Sequence, residues 1–241
     1  DGKPIDYSVT YKIGFLTEER SLLLKMTVLE QAILYGVLKG LSKEEVEKRL
    51  DKLLERFHIS EYKNRKIKEL SKGNQQKVQF ITAILHEPKL LILDEPFSGL
   101  DPINVQEFMD MIKELKAQGT SIIFSSHRME HVELFCDQLL ILVNGKTVLQ
   151  GNLKEIKEAY KKKNIKIVAP IDQGKLLKIP GVLKVTKSLN TNEYQVSIAN
   201  TAVVPQVFAY LKTLDNVTEF VVEEPSLNEI FINKVGASYE N

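Results

Sequence analysis

Apolar residues recur at helical spacing from Thr27 to Leu85, so this stretch is predicted to be mainly helical. Ser42 is followed three residues later by Glu45, a pairing typical of a capping box, and it predicts where one of these helices begins. The apolar face of that helix is formed by Val46, Leu50, Leu53, Leu54 and Phe57.

Strands are predicted on both sides of a further helix. Leu90–Leu93 is apolar throughout, which is typical of a parallel strand with both faces covered, and Ser121–Phe124 is a second apolar run. The order strand, helix, strand predicts an α/β layer with parallel pairing. Residues 1–16 are predicted to form short strands, the clearest at Tyr11–Leu16. The helix between the strands ends near Gly119, and its apolar face carries Val105, Phe108, Met109, Ile112 and Leu115.

The pattern changes after Gly151. Lys154–Lys163 is rich in lysine and predicts a helical connector. Residues 164–236 then follow the order strand, short helix, strand, strand, helix, strand, helix, which predicts a small α+β domain of the split βαβ type. The predicted strands are Ile165–Ala169, Val182–Ser188, Tyr194–Ile198 and Val217–Val222, with a turn at Asn190–Asn192. The predicted helices are Val203–Leu214 and Ser226–Val235.

Composition narrows the class of protein. A chain of 241 residues suits one or two domains, and its net charge of +1 does not favour binding to nucleic acid. The single cysteine, Cys136, cannot form an internal disulfide. No apolar run approaches the roughly 20 residues that span a bilayer, so a membrane role would work through partner subunits. The chain begins at Asp1 without Met, and we therefore expect it to be a fragment.

Two adjacent acids, Asp94 and Glu95, follow the apolar strand Leu90–Leu93. Open α/β sheets place ligands at the carboxyl ends of their strands. Because side chains alternate along a strand, the two acids need not have the same role. The alternative is that Asp-Glu-Pro simply ends a strand at the surface. The segment Ser98–Asp101 directly after it favours a ligand site.

Ser71 and Gly73 lie where a helix is predicted to begin. A helix start carries free N–H groups and a partial positive charge, and glycine lets the backbone approach an anion closely. An ordinary capped helix is the alternative. Three lysines lie nearby, and because no aromatic residues interleave with them, a solvated face is favoured over a nucleic-acid patch. They are Lys68, Lys72 and Lys77.

A phosphate-binding P-loop is absent from the sequence. The fragment Gly145-Lys146-Thr147 has Leu140 where the first glycine of the pattern would be. Asn144-Gly145 lies between two apolar runs and instead predicts a hairpin turn. His127 follows the strand Ser121–Phe124, a position where a lone histidine is usually structural or exposed.

Taken together, these segments resemble the ATP-hydrolysing parts of ABC transporter ATP-binding subunits. Residues 70–76 (LSKGNQQ) resemble the signature segment, and residues 90–96 (LLILDEP) resemble Walker B. Ser98–Asp101 resembles the D-loop, and His127 falls where the family has its switch histidine. Ile13–Arg20 resembles the Q-loop segment, with Glu18 in place of the glutamine. The likeness covers about residues 1–153.

The resemblance implies a P-loop NTPase-like α/β core that is incomplete, because the P-loop strand is missing, with a helical subdomain at about 22–85. We therefore expect a partial ABC ATPase domain at 1–153, a linker helix at 154–163 and an α+β accessory domain at 164–241. The LSKGNQQK variant and the segment Pro225–Phe231 are similar to the bacterial branch that exports sodium or drugs.

The resemblance also implies roles for residues. Asp94 would hold Mg²⁺, with Glu18 as a second metal-binding residue, and Glu95 would activate the attacking water. His127 would contact the γ-phosphate and stabilise its developing charge. ATP held by an opposite subunit would be contacted by Ser71, Gly73, Asn74 and Asp101.

The implied cofactors are ATP and Mg²⁺. The implied partners are a second ABC ATPase subunit and transmembrane permease subunits, with the chain peripheral on the cytoplasmic face of the membrane and no nucleic acid bound. Without a P-loop, this chain alone is expected to bind ATP weakly or not at all and to be inactive. Two alternatives remain: a non-transport ABC ATPase of translation or DNA repair, and a catalytically silent regulatory or binding module.

Overall fold

The structure is a computed structural model that describes residues 7–19, 21–189 and 191–239, with side chains described for 9–19, 21–189 and 191–234. The chain divides into two compact units, Asp1–His127 and Arg128–Asn241. The domain boundaries expected from the sequence, at 153 and 163, stay predictions.

The first unit contains a parallel sheet of β1 (Ile13–Leu16), β2 (Leu90–Asp94) and β3 (Ser121–Ser125), in that order. This confirms the predicted parallel strand at Leu90–Leu93, whose residues Leu91 and Leu93 are buried. The prediction of a strand from Tyr11 was wrong by two residues, because Tyr7–Lys12 is a 3₁₀ helix. Pairing starts at Ile13 because its partner Leu90 is the first residue of β2. Residues 1–6 lie outside the described residues.

Helices α1 (Val28–Leu38), α2 (Lys43–Arg56), α3 (Lys72–Ile84) and α4 (Pro102–Ala117) complete this unit. The capping box at the start of α2 is confirmed: Glu45 N donates to Ser42 Oγ at 3.2 Å, and Ser42 N donates to Glu45 Oε2 at 2.8 Å. Gly119 has φ +95° just after α4, as a C-terminal cap requires.

The interior between α2, α3 and α4 is aromatic and includes one ion pair. Phe57, Phe80 and Phe108 lie with ring centroids 4.8–5.9 Å apart. The ammonium group of Lys77 is buried, donates to Phe57 O at 3.1 Å and lies 2.6 Å from Glu107 Oε2. The expected solvated lysine face is therefore wrong for Lys77, because this position of α3 faces α2 and α4.

The second unit begins with α5 (Met129–Phe135), followed by a hairpin of β4 (Gln138–Val143) and β5 (Lys146–Asn152). Asn144 and Gly145 have φ of +51° and +74°, the two positive values that a type I′ turn requires. This confirms the prediction that the Gly-Lys-Thr fragment belongs to a hairpin. Helix α6 (Leu153–Ala159) is shorter than the predicted connector, because Lys163 already pairs with Ile198 in the next sheet.

The remaining elements form the predicted split βαβ arrangement. Four antiparallel strands lie in the order β7-β8-β6-β9, and buried aliphatic residues such as Ile165 and Val196 form their core. The predicted turn at Asn190–Asn192 includes Asn190, which lies outside the described residues. In chain order the elements are β6 (Lys163–Val168), α7 (Gln173–Leu177), β7 (Val182–Lys187), β8 (Glu193–Ile198), α8 (Val204–Leu211), β9 (Glu219–Glu223) and α9 (Leu227–Tyr239).

Among the helices that the structure describes, none combines the length and the hydrophobicity needed to cross a bilayer.

Replacing Lys77 by Met tests the buried ion pair. We expect the free energy of unfolding to fall by about 3 kcal/mol, because the carboxylate of Glu107 and the carbonyl of Phe57 lose their buried partner. Urea unfolding would measure it. The matched control, Lys68→Met, changes an exposed lysine and should cost no more than about 0.5 kcal/mol. Equal losses in the two variants would contradict the role of the ion pair.

Candidate nucleotide-binding site

The carboxyl end of β2 carries the first of the predicted acids. Asp94 is the last residue of β2 and pairs in register with Ser125 of β3. The Ser125 hydroxyl donates to Asp94 Oδ1 at 2.5 Å. The parallel pairing therefore holds this carboxylate at the edge of the sheet where ligands bind in open α/β folds.

Glu95 and His127 lie in direct contact. Glu95 Oε1 accepts hydrogen bonds from His127 N at 2.7 Å and from His127 Nδ1 at 2.8 Å. Ser126 Oγ donates to the other carboxylate oxygen at 3.4 Å, and Glu95 N donates to Ser125 O at 3.2 Å. Asp94 and Glu95 thus have different partners, because Asp94 ends β2 whereas Glu95 lies in the turn that follows it.

The backbone of Glu95 lies in the left-handed region, with φ +45°. This conformation is uncommon for a residue other than glycine and is often found at functional sites. It turns the backbone at the end of β2, so that the Glu95 carboxylate reaches the residues that follow β3. Its side chain is only 16% exposed, whereas the His127 side chain is 76% exposed.

The contact fixes the tautomer of His127. Nδ1 faces a carboxylate oxygen, which can only accept, so Nδ1 carries the proton. The other ring nitrogen, Nε2, is then left for a second partner on an exposed side chain. A histidine held in this way is oriented toward a second partner, and Nε2 donates to an anionic group when the ring carries a proton on both nitrogens.

The start of α3 is an open helix N-terminus. Ser71 caps it by accepting from Asn74 N at 3.3 Å, and the predicted helix start is thereby confirmed. A Cβ placed on Gly73 would lie 3.4 Å from Asn104 Nδ2 and 4.0 Å from Leu100 Cδ2. The first turn of α3 therefore lies against the first turn of α4.

Asp101 caps α4. Its Oδ1 accepts from Ile103 N and from Asn104 N, both at 3.0 Å, and its Oδ2 accepts from the Asn104 side-chain amide. These bonds, with the backbone N–H of Asn104 contributing most, hold the pKa of Asp101 below its usual value. The carboxylate satisfies the N–H groups of α4 and leaves the neighbouring start of α3 open to an anion.

Several residues that complete this arrangement have no role predicted from the sequence. Gln76 is buried, and its side-chain amide lies 3.5 Å from Pro96 O, which connects α3 to the turn after Glu95. Ser125 and Asn104 hold the carboxylates of Asp94 and Asp101. In the sequence, these two residues are marked only by their positions. Ser125 directly follows a predicted strand, and Asn104 lies three residues after Asp101.

Glu18 is exposed and lies just after β1, at the same edge of the sheet as the end of β2. Within the described residues, no group of three or more His, Cys, Asp or Glu side chains is placed to hold a metal. Mg²⁺ is usually bound by one or two carboxylates and completes its shell with water and phosphate oxygens. The oxygen donors at Asp94 fit an ion that arrives with a nucleotide.

Comparison with known proteins decides the family. Over 239 residues the chain is 50% identical to a Bacillus subtilis protein named as an uncharacterized ABC transporter ATP-binding protein, YhaQ, covering 99% of this chain and 80% of that protein. The chain belongs to the ABC transporter ATP-binding protein family. A second such protein, BpOF4_11395 of Alkalihalophilus pseudofirmus, is 46% identical over 99% of this chain and 88% of its own length.

Family models and a solved structure agree with this membership. The ABC transporter model matches residues 1–98, and the model of the ATP-binding protein DrrA1-3-like C-terminal domain matches residues 151–235. The solved structure of cbiO1 from Clostridium perfringens, described as part of the ABC transporter complex cbiONQ, is 34% identical, with a TM-score of 0.56 over 66% of each chain. The α/β fold of this ABC protein is that of ABC ATPase subunits.

The cap on α4 gives this ABC protein a pH-dependent contribution to stability. The pKa of Asp101 is lowered from about 3.8 on folding, so its contribution is fully present above that value and is lost as the pH falls through the lower folded-state pKa. We therefore expect the stability difference between the wild type and Asp101→Ala to shrink between about pH 7 and pH 3, measured by urea unfolding.

Asp101→Asn provides the control for this experiment. Asparagine keeps the side-chain oxygen that caps the helix but does not titrate, so its stability relative to Asp101→Ala should not depend on pH. A difference between the wild type and Asp101→Ala that stays constant across the range would contradict the assignment.

Proposed function

We propose that this ABC ATP-binding protein is the ATPase subunit of a bacterial exporter and that it hydrolyses ATP together with a second ABC subunit. The observation that carries the proposal is the contact of Glu95 with His127 beside Asp94. The 241 residues contain no Gly-x₄-Gly-Lys-Ser/Thr segment. We therefore propose that the P-loop is supplied from outside this sequence and that the chain contributes the remaining site residues.

In this proposal Glu95 accepts the proton of the attacking water. Its Oε1 is engaged by His127, whereas Oε2 has a long contact to Ser126 and is the better placed acceptor. His127 would stabilise the γ-phosphate through Nε2, which donates when both ring nitrogens are protonated. Asp94 and Glu18 would hold Mg²⁺, which neutralises charge on the phosphate oxygens.

The start of α3 contributes a second set of contacts, made to ATP held by the opposite subunit. Ser71, Gly73 and Asn74 lie in its first turn, where free N–H groups and the helix dipole favour an anion. Asp101 is engaged in capping α4, so we propose that it sets the position of the loop that meets the opposite subunit.

Permease subunits are the proposed membrane partners. The first unit exposes large apolar side chains at Phe15, Leu23 and Leu24, which supports a protein contact there. The similar protein cbiO1 is described as part of an ABC transporter complex. Binding to a permease would place the chain on the cytoplasmic face of the membrane.

Export is supported by the LSKGNQQK variant and by Pro225–Phe231, which lies within the DrrA-like match.

Glu95→Gln tests the proposed base in the complete protein. Glutamine keeps an oxygen that accepts from His127, so ATP binding should be preserved. We expect kcat to fall by about 100-fold or more, because glutamine cannot accept a proton. A phosphate-release assay and a nucleotide titration measure the two quantities. The control, Glu61→Gln, makes the same change on an exposed residue outside the site and should hydrolyse at the normal rate. Unchanged hydrolysis in Glu95→Gln would remove Glu95 from this role.

Gly73→Ala separates stability from nucleotide contact. Alanine is favoured over glycine in a helix by up to about 1 kcal/mol, and the added methyl makes only ordinary contact with Asn104, so the variant should unfold no earlier than the wild type. The methyl would nevertheless obstruct a phosphate that approaches the backbone. We expect ATP-dependent subunit association to weaken by about tenfold, measured by sedimentation in the Glu95→Gln background.

Thermal unfolding of the same Gly73→Ala variant is the control for this experiment. Normal ATP-dependent association in a normally stable variant would argue against a phosphate contact at Gly73.

A further inference from the structure

Gln79 ties α3 to the loop that follows β1. Its side chain is 5% exposed, and its amide Nε2 donates to Thr17 O at 3.0 Å and to Thr17 Oγ1 at 3.2 Å. These bonds join residues that are 62 positions apart in the sequence. Gln79 lies two turns beyond Ser71 on the same helix.

The oxygen of the Gln79 side-chain amide makes glutamine an unfavourable choice here if the side chain serves only to fill space. Oε1 is buried and has no hydrogen-bond partner in the part of the chain that the structure describes. A buried polar atom without a partner is unfavourable, whereas an apolar side chain of similar size would fill the same space without that cost. The hydrogen bonds from Nε2 to the loop therefore explain why an amide is buried at this position.

The loop depends on side chains for its attachment. Residues 17–19 lie in neither a helix nor a strand, so the carbonyl of Thr17 has no ladder partner. Within the loop, the hydroxyl of Thr17 donates to Glu19 O at 2.5 Å. Glu18, a proposed Mg²⁺ residue, lies between these two anchored positions.

We infer that Gln79 is a positioning residue that fixes the Thr17–Glu19 loop to α3, so that Glu18 and the anion-binding start of α3 move as one body. An α-helix rises 1.5 Å per residue, so Gln79 lies about 12 Å from Ser71 along a rigid element. A displacement of the loop would then be transmitted to the contacts made by Ser71 and Gly73. This inference rests on the proposed function, because it assigns a consequence to positioning Glu18.

Gln79→Met is the test variant, because methionine has a similar length and no donor. In the nucleotide-free complete protein, we expect the backbone amides of Glu18 and Glu19 to exchange with deuterium at least about fivefold faster, with the amides inside α3 unchanged. The matched control, Thr82→Val, removes a hydroxyl that bonds Val78 O one turn further along α3 and should leave the loop unchanged.

A double-mutant cycle with Thr17→Val tests whether the two residues act through the same contact. Thr17→Val removes one of the two acceptors of Gln79 Nε2 and also the bond from the hydroxyl to Glu19 O, so part of its effect on the loop should be independent of Gln79. Once the donor has been lost, the additional change in Gln79→Met/Thr17→Val should be smaller than in the wild-type background. Fully additive effects would overturn the contact as the cause.

Steady-state hydrolysis separates positioning from a purely structural role. We expect Gln79→Met to lower kcat by about tenfold and to leave KM for Mg-ATP within about twofold, with thermal stability close to that of the wild type. The inference would be overturned if exchange in the loop were unchanged or if exchange became faster along all of α3. It would also be overturned if the loop exchanged faster while kcat stayed normal. Failure of the proposed function would show instead as normal hydrolysis by Glu95→Gln, and it would leave the exchange result intact.

Discussion

The parallel register between β2 and β3 is the constraint on which the site depends. It places Asp94 opposite Ser125, so that the segments after β2 and β3 leave the sheet side by side and Glu95 contacts His127. A slip of one residue would turn the buried Leu91 and Leu93 to the opposite face and would separate the two acids from their partners. The packing of the strand and the geometry of the site are therefore set by the same set of hydrogen bonds.

Helix α3 is the second organising element, because polar side chains on it reach the backbone of three different segments. Gln76, Lys77 and Gln79 are buried and approach the carbonyl oxygens of Pro96, Phe57 and Thr17. Carbonyl groups in turns and at helix ends lack a regular partner, and these side chains supply one. The helix whose start is proposed to bind phosphate is thus connected to the turn after Glu95, to the end of α2 and to the loop that carries Glu18.

The electrostatics of the two helix starts also fit this arrangement. The first turns of α3 and α4 lie together, as Gly73 and Asn104 show, and each carries a partial positive charge. The carboxylate of Asp101 is bound to the N–H groups of α4, which neutralises one of the two. The other is capped by the hydroxyl of Ser71, which is neutral, and remains able to attract an anion.

The sequence alone determined the local structure and the family. The apolar strand before Asp94, the capping box at Ser42, the Asn144-Gly145 turn and the order of elements after residue 163 were all predictable, because short-range periodicity and turn chemistry specify them. The tertiary structure decided which polar residues work together. Lys77 has other lysines nearby in the sequence and yet is buried, and Gln79 has no local signal that distinguishes it from other polar residues of a helix. Their partners lie 20 and 62 positions away. Such contacts arise only when separate elements pack, and no local pattern encodes them.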